Sequence, residues 1–510
     1  MVAAGILCSR ILGLVRQRVF SHFFGLSDAA DVFSSALRVP NFLQNLFGEG
    51  VLSASFIPVY ARLLHEGRRE EADRLAGAIA AALALVISAI VAIGVLATPW
   101  LLWLIAPGYS GEKRELTILI VRILFPGTGI LVWSAWCLGI LNSHGRFFLS
   151  YAAPVVWNLS MIATLLVFRQ QPADSLIVYL GWGTVLGCLL QFLVQLGPVM
   201  KLSPAMRPNL GWRSDDVRQV TRSFTSVAIG RGVVQISAFV DQAISTLLGQ
   251  GAMAAMTTAS SINMLPISLF GMAISAAELP ELSRVAGKEL DAEGAAKLSR
   301  RLDNGLARIA FFVVPSAMAF FVLGNVIVAA LYQSGKFTRA DANYVWAILA
   351  GSGVGLLAST FGRLYASTYY ALRDTRTPLR FAMIRLVATA LLGLGGALWL
   401  PGALGIAPKW GTAFLTASAG IAGWIEFYLL RRGMNARLGT TGVPFAMMAR
   451  LWGAALVAAI AAGTAEWFGP DLGPILVAVY VLGVYGVVYF GATFMLRIEE
   501  SQALLGRLRR

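Results

Sequence analysis

The chain has 510 residues, 57% of them hydrophobic and 13% charged, with a mean hydropathy of +0.71. Soluble domains carry nearer a quarter charged residues, so a water-soluble globule is excluded, and the lack of alternating period-2 segments argues against a β-barrel. In a soluble protein the formal charge of +15 would suggest nucleic acid; here it reads as the basic bias of cytoplasmic loops, and no nucleic-acid partner is expected.

Apolar blocks separated by Gly, Pro and charge predict an all-α polytopic membrane protein with fourteen spans. The first, near 2–24, contains Arg10, Arg16 and Arg18. Ile6-Leu7-Cys8 has a lipoprotein flavour, but Leu7 is too large for a cleavage site and the arginines do not suit a signal core, so a retained helix is expected. The second span, near 29–61, carries Asp31, Arg38 and Glu49 and is interrupted by Pro40, Gly48, Gly50 and Pro58. Broken backbone at membrane depth is tolerated where it lines a cavity, which makes these four candidate hinges; an ordinary proline kink is the plainer reading. Further spans are expected near 76–105, 115–141, 150–168, 175–197, 223–248, 256–283, 304–332, 342–371, 379–399, 412–430, 446–467 and 475–496. The seventh carries Arg231 and Asp241. Cys8, Cys137 and Cys188 lie singly in apolar stretches and read as packing residues.

The loops test this count. With a cytoplasmic N-terminus, the cytoplasmic loops and C-terminal tail hold 26 Lys and Arg, and the opposite loops hold 6. That asymmetry predicts a cytoplasmic-membrane protein with both termini inside. Residues 46–62, LFGEGVLSASFIPVYAR, resemble 269–284, LFGMAISAAELPELSR, and LNSHGRF at 141–147 corresponds to LRDTRTP at 372–378. The repeat is six helices with an offset of about 222 residues. An even repeat enters the membrane in one direction, so two parallel six-helix lobes are expected, at 1–200 and 201–432, with helices 13 and 14 in an extra segment, 433–510.

Nine arginines fall inside spans, where each costs about 2.5–3.5 kcal/mol on insertion scales. Arg38, Arg363, Arg385 and Arg450 are near enough to span ends to snorkel. Arg10 and Arg16 are not. With Asp31, Glu49, Arg231 and Asp241 they suggest a net-positive chamber for an anionic headgroup, since the guanidinium fork binds phosphate bidentately; a set of structural ion pairs such as Arg10–Glu49 or Arg18–Asp31 is the bland alternative. Walker A and HExxH patterns are missing and His22, His65 and His144 are scattered, so no enzyme is expected. Asp241 and Asp374 are weak candidates for a sodium site.

The stretch SRILGLVRQRVFSHFFGLSDAADVFSSALRVPNFLQNLFGEGVLSASFIPVYARLL at 9–64, with LYQSGKFTRADA at 331–342 and ALRDTRTP at 371–378, resembles the MurJ (MviN) lipid II flippases of the MOP exporter superfamily. The resemblance implies two six-helix lobes around a cationic cavity, a groove for the lipid tail on helices 13 and 14, and no cofactor. It also implies a role in peptidoglycan and cell-wall biogenesis, and contact with membrane lipids and cell-wall synthesis enzymes. The implied cargo is an undecaprenyl-pyrophosphate disaccharide pentapeptide, carried by alternating access. The family's functional positions correspond to Ser9, Arg10, Arg16, Asp31, Asn41 and Glu49. Three positions depart from the family pattern: Gln17 stands in place of Asp, and Gln44 and Ser261 in place of Arg. Arg231, not usual in the family, is expected to supply the missing cation. The rival readings are an O-antigen-type lipid-linked oligosaccharide flippase, a multidrug exporter and a non-transporting scaffold.

Overall fold

The computed structural model describes residues 2–209, 211, 214–286, 292–470 and 473–508. Among them every named element is helical, and the one β-bridge joins Ser334 to Phe337. The helices are α1 (Val2–Phe24), α2 (Asp28–Phe47), α3 (Glu49–His65), α4 (Arg69–Ile105), α5 (Gly111–Ser143), α6 (Phe147–Ala152), α7 (Pro154–Val167), α8 (Ala173–Leu202), α9 (Asp215–Thr246) and α10 (Ala252–Pro266). After a π-helical stretch, Ile267–Met272, come α11 (Ala273–Ala286), α12 (Ala292–Val322), α13 (Gly324–Tyr332), α14 (Arg339–Ala371), α15 (Arg376–Leu394), α16 (Leu400–Ala403), α17 (Gly411–Leu438), α18 (Phe445–Phe468), α19 (Pro474–Met495) and α20 (Glu499–Leu508).

Eleven helical segments among the described residues are long and apolar enough to cross a membrane. The three expected spans not among them are α1, α2–α3 and α9, the same three that carry the candidate charges. Elsewhere the apolar side chains face outward: Leu96, Trp100 and Trp103 on α4 are 72–75% exposed. A soluble protein does not leave such a surface to water, whereas lipid covers it at no cost.

Residues 1–254 with 334–337 form one compact unit, and 255–333 with 338–510 form another. In the first, one core joins Phe20, Phe24 and Phe33 to Leu102, Ile120 and Leu180, and a second joins Phe56 and Tyr60 to Leu75, Ile79 and Trp136. Within the second unit, α19 is tied to α12 by the Tyr489 and Tyr485 hydroxyls, which donate to the carbonyls of Phe311 (2.6 Å) and Pro315 (2.7 Å).

Helix starts follow local chemistry. Ser27 caps α2 by accepting from the Ala30 N–H, Thr338 and Asp341 form a reciprocal capping box on α14, and prolines open α7 and α19. The second expected span is broken into α2 and α3 at Gly48, whose ψ of −148° leaves the helical region. A Cβ there would sit 2.2 Å from the Gln44 carbonyl oxygen, so only glycine fits. About 222 residues downstream the chain is again irregular, in the π-helical Ile267–Met272. Both of these segments, which the sequence pairs as a repeat, depart from regular α-helix.

Candidate transport site

Helix α1 has an apolar sequence in which Arg10 is exposed and Ser9, Arg16, Gln17 and Arg18 are partly buried. The Arg16 guanidinium lies 5.0 Å from the centroid of the Trp157 ring and 3.9 Å from the Met161 sulfur, both on α7. The aromatic ring meets the guanidinium as a cation–π partner, and one of the guanidinium N–H groups donates to the thioether sulfur. Arg16 is thus positioned and only partly buried. On α2, Asn41 and Gln44 are partly buried. Arg38 on α2 and Asp241 on α9 are both partly buried and lie within electrostatic reach of each other.

Asp31 is fully buried. Its Oδ2 accepts from the backbone N–H of Gly251 (2.8 Å) and the Lys113 ammonium (2.7 Å), and its Oδ1 accepts from the N–H of Ala254 (2.9 Å). It therefore caps the N-terminus of α10, where unpaired N–H groups and the helix dipole favour a carboxylate. The Tyr109 hydroxyl is shared between the Ser35 hydroxyl (2.8 Å) and the Asp31 carbonyl (3.3 Å), and Lys113 sits 4.5 Å from the Tyr109 ring centroid. Lys113 also reaches the exposed Asp28 at 2.6 Å. Backbone closes the rest: Gly251 has φ +78°, and a Cβ on it would lie 2.6 Å from the Leu26 carbonyl oxygen. The Lys336 N–H donates to the His22 carbonyl at 2.9 Å. The Asp31 carboxylate thereby joins α2 to the start of α10 and to Lys113 on α5, while Tyr109 ties the loop 106–110 to α2 and Lys336 ties the loop 334–337 to α1.

Of the candidate site residues, then, Arg10 is exposed and Arg16 is engaged by Trp157 and Met161, whereas Asp31 has its oxygens taken by protein donors. Gly48 breaks the helix; Gly50 and Pro58 lie inside α3. The side chains of Pro40, Glu49 and Arg231 lie outside the described residues. Asp374 stands in the α14–α15 loop, where it accepts from the N–H groups of Arg376 and Thr377, the Thr377 hydroxyl and the Arg437 guanidinium. Burial raises its pKa, but these donors outweigh it and hold the carboxyl at about 2. Among the described residues no three His, Cys, Asp or Glu converge as a metal site would require. Ser261 donates to the Thr257 carbonyl within its own helix. Reasoning from sequence missed Lys113, Tyr109 and Trp157. For Lys113 there was a signal: it is one of the few basic residues on the basic-poor side.

A family model described as lipid II flippase MurJ matches residues 20–483. The chain is 29% identical to a probable lipid II flippase MurJ of Haemophilus influenzae, covering 98% of this chain and 99% of that one. It is 28% identical to the lipid II flippase MurJ of Burkholderia cenocepacia, covering 97% and 96%. In fold it is similar to a lipid II flippase MurJ solved in an inward closed conformation, with a TM-score of 0.79 at 22% identity over 97% of this chain and 98% of that one. It is also similar to an inward-facing multidrug resistance MATE transporter of the MOP superfamily, with a TM-score of 0.68 at 18% identity over 84% and 95%. On the extent of these matches, the chain belongs to the MurJ lipid II flippase family of transporters.

Proposed function

We propose that this protein carries lipid II from the inner to the outer leaflet of the cytoplasmic membrane by alternating access. The observation that carries the reading is the family match over residues 20–483. Arg16, poised on Trp157 in the helix where the family resemblance puts a phosphate-binding arginine, supports it. In this reading α1, α2–α3 and α9 cross the membrane with the eleven apolar segments, giving fourteen spans and cytoplasmic termini. Lobes 1–200 and 201–432 rock against each other, and 433–510 accommodates the polyprenyl tail. Arg10 and Arg16, joined by Arg231, neutralise the pyrophosphate, and Ser9, Asn41 and Glu49 are the further headgroup-binding residues of this reading.

The Asp31 cluster acts as the outward gate. While Asp31 caps α10, the turns α1–α2 and α9–α10 stay joined; when the cap is released, the bend at Gly48 lets α2 swing. Moving net negative charge outward is favoured by an inside-negative potential, at about 2.3 kcal/mol per charge per 100 mV. That potential is the drive this reading uses, and Asp241 and Asp374 stay the candidates for a coupled sodium ion. The test is reconstitution in vesicles carrying lipid II. Collapsing the potential while keeping the sodium gradient should slow transfer; an unchanged rate refutes voltage drive, and a rate that follows sodium instead supports coupling. The departures at Gln17, Gln44 and Ser261 favour one rival, a flippase for another polyprenyl-pyrophosphate glycan, and substrate competition in the same vesicles separates the two.

A further inference from the structure

The unit formed by residues 255–333 and 338–510 contains a pocket of about 370 Å³, walled by α13, the start of α14, the end of α18 and the start of α19. Its polar lining comprises Asn325, Gln333, Arg339, Asn343, Glu466 and Tyr480, and its apolar lining includes Val326 and Val477. The connections α13–α14 and α18–α19 fall on the basic-poor side of the chain, toward which cargo is delivered in the function proposed above. Trp467 and Phe468, directly after Glu466, are 83% and 84% exposed. Aromatic side chains exposed in this way mark the membrane–water boundary, so the pocket opens at headgroup depth.

Three carboxamides dominate its polar wall, and each can donate and accept. Asn325 donates to Glu466 at 3.4 Å, while its buried carbonyl oxygen has no hydrogen-bond partner among the described residues. A buried polar atom in that condition normally has a partner to receive. The single guanidinium, Arg339, is offset by Glu466, so the pocket has no net charge with which to hold a pyrophosphate. Hydroxyl, acetamido and peptide amide groups match it better. We propose that this pocket is an exit subsite for the glycan–peptide part of the transported headgroup, occupied after it reaches the outer side. The inference rests on the lipid II reading above.

The test uses the full chain in lipid nanodiscs, in a Cys8→Ser background, with Ala465→Cys as a reporter on the pocket wall that leaves every polar group in place. The probe is soluble N-acetylglucosaminyl-N-acetylmuramyl pentapeptide, without phosphate or tail. Saturating probe should slow maleimide labelling of the reporter at least threefold, and Gln333→Ala/Asn343→Ala should abolish the protection. Unchanged labelling overturns the proposal, as does protection that survives the double substitution. Protection that follows phosphatidylethanolamine content instead of the probe also overturns it and assigns the pocket to a phospholipid. Translocation of lipid II is measured on the same protein in vesicles: translocation without protection removes the exit subsite alone, and no translocation removes the reading beneath it.

Discussion

Replacing Asp31 by Asn keeps the shape of the side chain and removes the charge that joins α2 to the start of α10 and to Lys113 on α5. In the native protein the carboxylate receives three charge-assisted hydrogen bonds, from Gly251, Ala254 and Lys113. Each is worth about 1.5–3 kcal/mol. Asparagine retains one neutral acceptor oxygen and turns an NH2 group toward donors, so about 3 kcal/mol of closure is lost. Lys113 keeps Asp28 as a partner and is not stranded. At about 1.4 kcal/mol per factor of ten, the closed-to-open ratio of the proposed outward gate should fall by about 150-fold. Spin labels on His22→Cys, exposed near the end of α1, and Gln250→Cys, exposed in the α9–α10 turn, report this as a distance distribution in nanodiscs. The Asp31→Asn protein should move to a longer, broader distribution, and Asp31→Glu should fall between the two. If Asp31→Asn leaves the distribution where it is in the native protein, the carboxylate is not what holds these segments together.

Other substitutions separate the remaining parts. Arg16→Ala should lower the initial rate of lipid II transfer at least about tenfold, and Arg16→Lys should recover only part of it, because an ammonium has no fork for phosphate; vesicle assays with fluorescent lipid II read both. Gly48→Ala forces a methyl against the Gln44 carbonyl. Overpacking of this kind costs about 1–3 kcal/mol, so the variant should reach the membrane and yet transport poorly, and transport at the native rate would show that Gly48 is not a hinge. Asp374 gives a pH signature. Its folded-state pKa of about 2 lies below the ordinary 3.8, so its contribution to stability is complete above about pH 4 and is lost as pH falls toward 2. The difference in thermal midpoint between native and Asp374→Asn protein should be constant from pH 8 to 5 and shrink only in stronger acid.

How much of this could be read from the sequence depends on the kind of interaction. Apolar blocks and the distribution of Lys and Arg identify a polytopic helical protein because lipid tolerates little else. Gly48 stood out as a breaker, and the structure divides α2 from α3 there. Arg10 and Arg16 stood out because charge is costly among apolar neighbours. What the sequence hid are partners distant in the chain that carry no side-chain signature. The donors to Asp31 include two backbone N–H groups about 220 residues away, and any residue type offers such a donor. Trp157 beneath Arg16 looked like one more apolar residue in α7. The four protein donors to Asp374 are likewise not evident from composition. Eleven segments clear the length and apolarity needed to cross a membrane, whereas the apolar blocks, tested against loop charge, suggested fourteen; the difference lies in the helices whose charges serve the proposed site.

The central claim is best tested by complementation. The native lipid II flippase of a bacterial host is depleted while this chain is expressed, with Arg16→Ala in parallel and membrane insertion of both checked by blotting. The account predicts that the wild-type chain restores growth and cell shape and that Arg16→Ala does not. A wild-type chain that reaches the membrane at normal levels and fails to rescue would contradict lipid II as the cargo, and rescue by both proteins would contradict the place given to Arg16.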